Sequence, residues 1–177
     1  MHMRDMANAF RYRTPEKGHY ESYFQRANHP TNPLAFWTRY TVFSPRNHPE
    51  EAVGELWAVF FDGQSRQISA AKQVFPWAAC RFDRQTLNAQ IGDATLDARS
   101  LSGSADGPHH RLSWQLEYDS PQEPLFLLPT RMYEASFPKA KALVGSPLAR
   151  FRGQLTVDGR AIAIEDWVGS QNHNWGE

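Results

Sequence analysis

Apolar and polar residues alternate along much of the chain with a period of two, the pattern of strands that bury one face. The clearest run sets Leu112, Trp114, Leu116 and Tyr118 against Arg111, Ser113, Gln115 and Glu117, and predicts a half-buried strand. Residues 35–43 (AFWTRYTVF) and 53–61 (VGELWAVFF) are rich in aromatic and β-branched side chains, and the second is apolar on both faces apart from Glu55. Both predict central strands. The polar SPRNHPEE between them, with two prolines and an asparagine, reads as the connection of neighbouring antiparallel strands.

Further strands are expected at residues 20–26, 67–75, 86–91, 94–98, 151–157 and 160–168. Asp158-Gly159, between the last two, is a two-residue hairpin signal, because a type I′ turn needs positive φ at both positions. Gly92-Asp93 is a weaker form of it. Helical periodicity is confined to two short stretches, residues 5–10 and 138–143. Regularly spaced short strands, about nine to eleven by this reading, predict an all-β antiparallel barrel or sandwich with little helix.

Composition narrows the class. At 177 residues the chain is expected to form one compact unit over residues 1–177, preceded by a flexible segment of about residues 1–12. Nineteen Lys plus Arg balance nineteen Asp plus Glu, so no net field favours a nucleic acid. Hydrophobic residues make up 41% and aromatics 13%, including six Trp, enough for a real core. The single cysteine, Cys80, excludes an internal disulfide and every multi-cysteine metal site. The apolar runs 56–61 and 74–80 fall far short of the ~20 residues that cross a bilayer. The opening MHMRDMANAF, with Arg4 and Asp5 in place of an apolar leader, leads to the expectation of a cytoplasmic protein.

Several chemistries lack sequence support: there is no Gly-x-Ser-x-Gly elbow, no phosphate-binding glycine loop, no dinucleotide fingerprint and no His-Glu-x-x-His. His109-His110 on a strand would point to opposite faces and is read as a loop before Arg111, so no metal is expected. Cys80 follows Ala78-Ala79 in an apolar stretch and is read as a small core residue. Phe60, Phe61, Trp77 and Phe82 are read as core filling.

A barrel of about eight strands either fills with side chains or holds one small molecule. Trp37, Arg39, Thr41 and Phe43 share one strand face, which if turned inward would place an arginine among aromatics as a polar anchor, and if turned outward would leave Arg39 solvated. The candidate lining is Trp37, Arg39, Tyr40, Trp57 and Trp114, joined by Asn172, Asn174 and Trp175. The densest polar run is Glu165 to Gly176, read as a strand entering a Ser-Gln-Asn-His-Asn loop. Its two carboxylates, imidazole and indole suit proton transfer to an apolar substrate: Asp166 or Glu165 supplies the proton, His173 relays it and Trp175 faces a developing cation. The same residues also suit a strand end whose Asn and Ser side chains bond to backbone.

Residues 141–176 (KALVGSPLARFRGQLTVDGRAIAIEDWVGSQNHNWG), with 21–45 (ESYFQRANHPTNPLAFWTRYTVFSP) and 54–62 (GELWAVFFD), resemble the AttH-like and hydroxyneurosporene synthase (carotenoid hydratase) family. Tocopherol cyclase and lipocalin-like Diels–Alder cyclases are more distant relatives by fold. The resemblance implies a lipocalin-like β-barrel and, since the family sets two barrels in tandem, the N-terminal half of a two-barrel protein. On this basis the chain is expected to bind a hydrophobic small molecule, isoprenoid or polyketide-like. Acid-promoted hydration or cyclisation, of the hydratase or cyclase type and without metal or nucleotide cofactor, goes with that expectation. A non-catalytic carrier, or a scaffold half docking a second barrel or a second copy, stands beside it.

Overall fold

The computed structural model describes residues 3–12 and 17–177. A six-residue helix, α1 (Met3–Asn8), precedes the strands β1 (His19–Asn28), β2 (Leu34–Ser44), β3 (Val53–Asp62), β4 (Gln67–Pro76), β5 (Cys80–Phe82), β6 (Asn88–Ile91) and β7 (Ala94–Asp97). They continue with β8 (Ser100–Asp106), β9 (Arg111–Asp119), β10 (Leu125–Phe126), β11 (Lys141–Val157) and β12 (Arg160–Gly176). All belong to one antiparallel sheet, in the order β4-β3-β2-β1-β12-β11-β9-β8-β7-β6-β5, with β10 paired to β11. The sheet curls into a nearly closed barrel of lipocalin-like form.

The curl follows from what each strand must bury. In β2, Phe36, Thr38, Tyr40 and Val42 turn inward, while Trp37 and Arg39 turn outward. In β9 the alternating Leu112, Trp114, Leu116 and Tyr118 all point in, as the sequence pattern predicts. Phe151 lies edge-on to Phe36 (5.4 Å between centroids) and stacks on Tyr118 (5.2 Å), and Trp167 sits against Phe36 (6.1 Å). At its centre the barrel is therefore filled by side chains.

The Asp158-Gly159 turn has φ of 50° and 84°, as a two-residue hairpin requires. Other expectations are corrected. Residues 138–143 form no helix; β11 starts at Lys141 and runs 17 residues. β12 also runs 17 residues, so the expected polar loop after Val168 is strand, held between β1 and β11 over its length. The barrel path has eleven strands, within the expected nine to eleven, and β10 pairs with β11 beside it; β5, β8 and β10 carry too little alternation to stand out in the sequence.

A bulge in β12 governs the site. Phe151 pairs with Trp167 but Gly153 with Ile164, so Glu165 and Asp166 together oppose Arg152, and Asp166 takes φ 57°. The extra residue switches the parity of the strand: Trp167, Gln171, His173 and Trp175 point in, whereas Glu165 and Asp166 are exposed.

Residues 3–12, expected to be flexible, dock across one end of the barrel with Ala7, Asn8, Ala9, Phe10 and Tyr12 buried. Residues 1 and 2 lie outside the described residues. Phe10 stacks on Phe82 (4.6 Å), its N–H donates to the Asp83 carbonyl (3.1 Å), and the Tyr12 hydroxyl bonds Ser44 Oγ (2.9 Å). Gln171 Nε2 donates to Asn8 Oδ1 (3.1 Å), and room for this pair exists only because residue 145 lacks a side chain. A Cβ on Gly145 would lie 2.2 Å from Gln171 Oε1. Among the described residues no helix is long and apolar enough to cross a membrane.

Candidate functional site

Beneath the docked N-terminal segment lies a buried ionisable cluster. Strand parity points His19, Glu21 and Tyr23 of β1 inward beside His173 and Trp175 of β12, because Tyr23 pairs with His173 and Glu21 with Trp175 in the ladder. Glu21 is 1% exposed and His173 is 0% exposed, so neither finds water to replace a missing partner. Glu21 Oε1 accepts from His173 Nε2 (2.8 Å) and Oε2 from His19 Nε2 (2.7 Å). The backbone N–H of Arg11 bridges both oxygens (2.9 Å each), and that of Tyr12 reaches Oε2 (3.1 Å). The Tyr23 hydroxyl lies between the Asn8 carbonyl (3.0 Å) and Oε1 (3.2 Å).

This donor set fixes charge. Burial pushes the Glu21 carboxyl up, but the hydrogen bonds and charge of His173 and His19 outweigh it, and the group is held below its ordinary range. His173 Nδ1 faces the Ala7 carbonyl at 3.1 Å, which only accepts, so this nitrogen carries a hydrogen. Its Nε2 faces a carboxylate oxygen already accepting from other donors, so it carries one as well. His173 thus reaches the Ala7 carbonyl with one ring nitrogen and the Glu21 carboxylate with the other. The Tyr23 ring lies over the His173 ring (4.4 Å) and Trp175 lies on its other flank (4.5 Å). Burial and the neighbouring Glu21 charge push the Tyr23 hydroxyl well up, so it stays a neutral donor.

The cluster opens on one side to a cleft of about 480 Å³ whose lining includes Arg11, His19, Tyr133, Lys139, Lys141 and Trp175. The Arg11 guanidinium lies over the Trp175 ring at 5.1 Å. Lys141 Nζ donates to the carbonyls of Ala135 (2.6 Å) and Tyr133 (2.9 Å). No carboxylate among the described residues forms an ion pair with Arg11, Lys139 or Lys141, although Glu134 and Glu177 share the lining. A second cleft of about 460 Å³, more apolar and including Tyr20, Leu127, Leu128 and Ala142, shares Trp175, Lys141 and Gly176 with the first.

The residues expected from sequence are dispersed. His173 and Trp175 belong to the cluster. Asp166 and Glu165 do not: both are exposed on the bulge, and Asp166 pairs with Arg150 at 3.3 Å. Asp166 stands seven residues from His173, about 23 Å along an extended strand. Tyr40 and Trp114 are core, bonded to one another through Trp114 Nε1 and the Tyr40 hydroxyl (2.8 Å). Trp37, Arg39, Trp57, Asn172 and Asn174 sit on the outer face, with Arg39 over Tyr20 (5.2 Å) and Trp37 (5.8 Å) and Lys72 over Trp57 (4.6 Å). Arg39 therefore lies on the outer face, half-buried against these rings. The sequence motifs do not reach His19 and Glu21; the signal is a carboxylate two residues from Tyr23, on the strand face that also carries His19, Gln25 and Ala27.

His48, Glu50 and Glu51 bring ligand atoms within 4.8 Å of one another, but all three are exposed and His48 already pairs with Glu50 (3.1 Å). Burial pushes the Cys80 thiol up to about 11, which suits a core residue rather than a nucleophile.

A curled antiparallel sheet with a cleft and a polar cluster at one end defines a lipocalin-like β-barrel. No protein-family model matches the chain, and no curated protein matches it. Among solved structures, an AttH candidate from Nitrosomonas europaea has TM-score 0.65 at 10% identity, with 91% of this chain and 52% of that one covered. CghA, solved with Sch210972, has TM-score 0.55 at 12% identity, with 90% of this chain and 46% of that one covered. The chain spans about half the length of each of these structures, and the likeness is one of fold. An AttH-like fold is what the C-terminal segment and its hairpin had implied.

Proposed function

We propose that this chain is a small-molecule-binding barrel whose ligand lies at the barrel end, against Trp175 and Tyr133, rather than in the packed centre. The observation that carries the reading is the pair of clefts sharing Trp175, one cationic and one apolar, beside a centre already occupied by Tyr40, Trp114, Phe151 and Trp167. Aromatic walls with a few convergent polar groups are the usual make-up of a small-molecule site. The ligand class is hydrophobic, isoprenoid or polyketide-like. In the enzymatic form of this reading, the proton for hydration or cyclisation comes from the cluster around His173 and Glu21, with Asp166 and Glu165 too distant to take part.

The test is quenching of tryptophan fluorescence by geranylgeraniol and by benzoylacetone, as isoprenoid and polyketide-like probes. At least one should bind saturably, and Trp175→Leu should weaken that binding at least tenfold while Trp57→Leu leaves it unchanged. Absence of saturable binding by either probe sinks the proposal; binding lost on Trp57→Leu instead moves the site to the outer face. A second reading, a domain that docks a further barrel, draws on both solved neighbours being about twice as long. Sedimentation with a separately produced partner barrel tests it.

A further inference from the structure

The cleft and the buried cluster meet at one residue. His19 stacks on Tyr12 (5.0 Å), its side chain is 9% exposed, and it lines the cationic cleft while its Nε2 is held 2.7 Å from Glu21. Because Nε2 is taken, Nδ1 is the nitrogen left for a ligand. A carboxylate that orients one nitrogen of an imidazole and leaves the other to the ligand is the arrangement of a general base, since it fixes the tautomer and stabilises the imidazolium that forms. A structural carboxylate needs only one such partner. Here the second histidine, His173, already holds Glu21 Oε1 (2.8 Å), so His19 is not required to fix the carboxylate.

We propose that His19 is a proton-transfer residue of this cleft, with Glu21 and His173 as its positioning residues, and that its substrate is an apolar carbonyl compound bearing an exchangeable α-hydrogen. The proposal rests on the reading of the barrel end as the ligand site. The substrate class follows from what shares the cleft: a base, the cations Arg11 and Lys141, which form no ion pair among the described residues, and the rings of Trp175 and Tyr133. Nδ1 takes the α-proton. The C–H electron pair becomes the C=C bond of an enolate, and the carbonyl π pair moves onto oxygen, where the positive groups of Arg11 and Lys141 offset the new charge. Return of the proton from Nδ1 to carbon or to oxygen releases the keto or enol form and restores neutral His19, with no oxidant or co-reactant consumed. The charged and titratable groups facing His19 are Arg11 and Tyr12 from the N-terminal segment, Glu21 from β1, His173 from β12, and Lys139, Lys141, Glu134 and Glu177 around the cleft.

The experiment uses the whole chain and one probe, ethyl 2-benzylacetoacetate, which has a single hydrogen on the carbon between its two carbonyls and an aromatic tail. Its binding is followed by tryptophan fluorescence and the loss of its α-hydrogen into D₂O by NMR. Saturable exchange at least tenfold above buffer is expected, falling to the buffer rate in His19→Gln with binding retained. Glu21→Asp, which keeps the charge, should keep the pH dependence of exchange, and Glu21→Gln should lose it. Should Glu21→Gln fail to fold, ¹⁵N spectra of the wild-type histidine rings decide the proton assignment: both nitrogens of His173 protonated, and His19 protonated at Nε2 alone. Probe bound but exchanging at the buffer rate, exchange unchanged in His19→Gln, or a singly protonated His173 overturns the inference and leaves the binding reading standing. A probe that does not bind overturns the inference, and the binding reading on which it rests then stands or falls on geranylgeraniol and benzoylacetone.

Discussion

Tyr40→Phe separates a core role from a ligand role for the Tyr40–Trp114 pair, both of which the sequence offered as cavity lining. The Tyr40 hydroxyl donates to the Thr95 carbonyl (2.8 Å), with the Ser102 carbonyl at 3.1 Å, and accepts from Trp114 Nε1 (2.8 Å). Tyr40 is 0% and Trp114 3% exposed, so water cannot stand in for the lost oxygen. Removing it leaves the indole N–H unsatisfied, at a cost of about 1–3 kcal/mol, and forfeits one further bond worth about 1 kcal/mol. The two carbonyls keep some compensation from their places in the β7–β8 region, so the expected loss is about 2 kcal/mol. For a chain of this length that lowers the melting midpoint by about 4–8 °C. Urea unfolding followed by tryptophan fluorescence measures it. Trp114→Phe should cost less in the Tyr40→Phe background than alone, by about 1 kcal/mol, since the shared bond is already gone. A Tyr40→Phe midpoint within about 0.5 kcal/mol of wild type, or strict additivity of the two changes, would refute the reasoning.

Three further outcomes are expected. Glu21→Gln removes the carboxylate that His173, His19 and the Arg11 and Tyr12 N–H groups share and should destabilise by about 1–3 kcal/mol in urea at pH 7. Because the folded state holds the Glu21 carboxyl below its ordinary value, its contribution is complete above that range and is lost as pH falls through the folded value; wild-type urea midpoints should drop on that acid limb, and those of Glu21→Gln should drop less. Gly145→Ala places a Cβ 2.2 Å from Gln171 Oε1 and 2.4 Å from Asn8 Nδ2, so it should cost about 1–3 kcal/mol and raise protease cleavage near residues 3–12; unchanged cleavage counts against the docking of that segment. Asp166→Asn removes only an exposed pair with Arg150, so stability should change by less than about 1 kcal/mol and proton exchange in bound probe not at all.

The fold was legible where one face of a strand is apolar without interruption. β9 and the Asp158-Gly159 hairpin declare themselves because Leu112 to Tyr118 alternate cleanly and because Asp-Gly suits two positive φ values. The last third of β12 was not legible, since Gln171 and His173 face inward to bond with Asn8, Ala7 and Glu21, and a buried polar face looks like a loop in the sequence. The bulge hid the site as well. Period-two counting from Trp167 backward puts Glu165 on the inward face; the added residue at Asp166 turns it out as well. His173 and Trp175 were found because they lie close in sequence, whereas Glu21 is 152 residues from His173 and nothing local connects them.

That separation also bears on how the barrel comes to exist. β12 lies between β1 and β11, so the strand formed from residues 160–176 fills the gap between one of the earliest strands synthesised and its own hairpin partner. Until it arrives, β1 offers an open edge on the side that β12 will occupy, and Glu21 lacks its His173 partner. Final closure then depends on contacts of very high sequence separation, which are slow to form. A ribosome-bound chain halted at residue 158 should therefore be prone to pairing with its neighbours, and the polar inward face of β12 acts as the closing seam of the molecule.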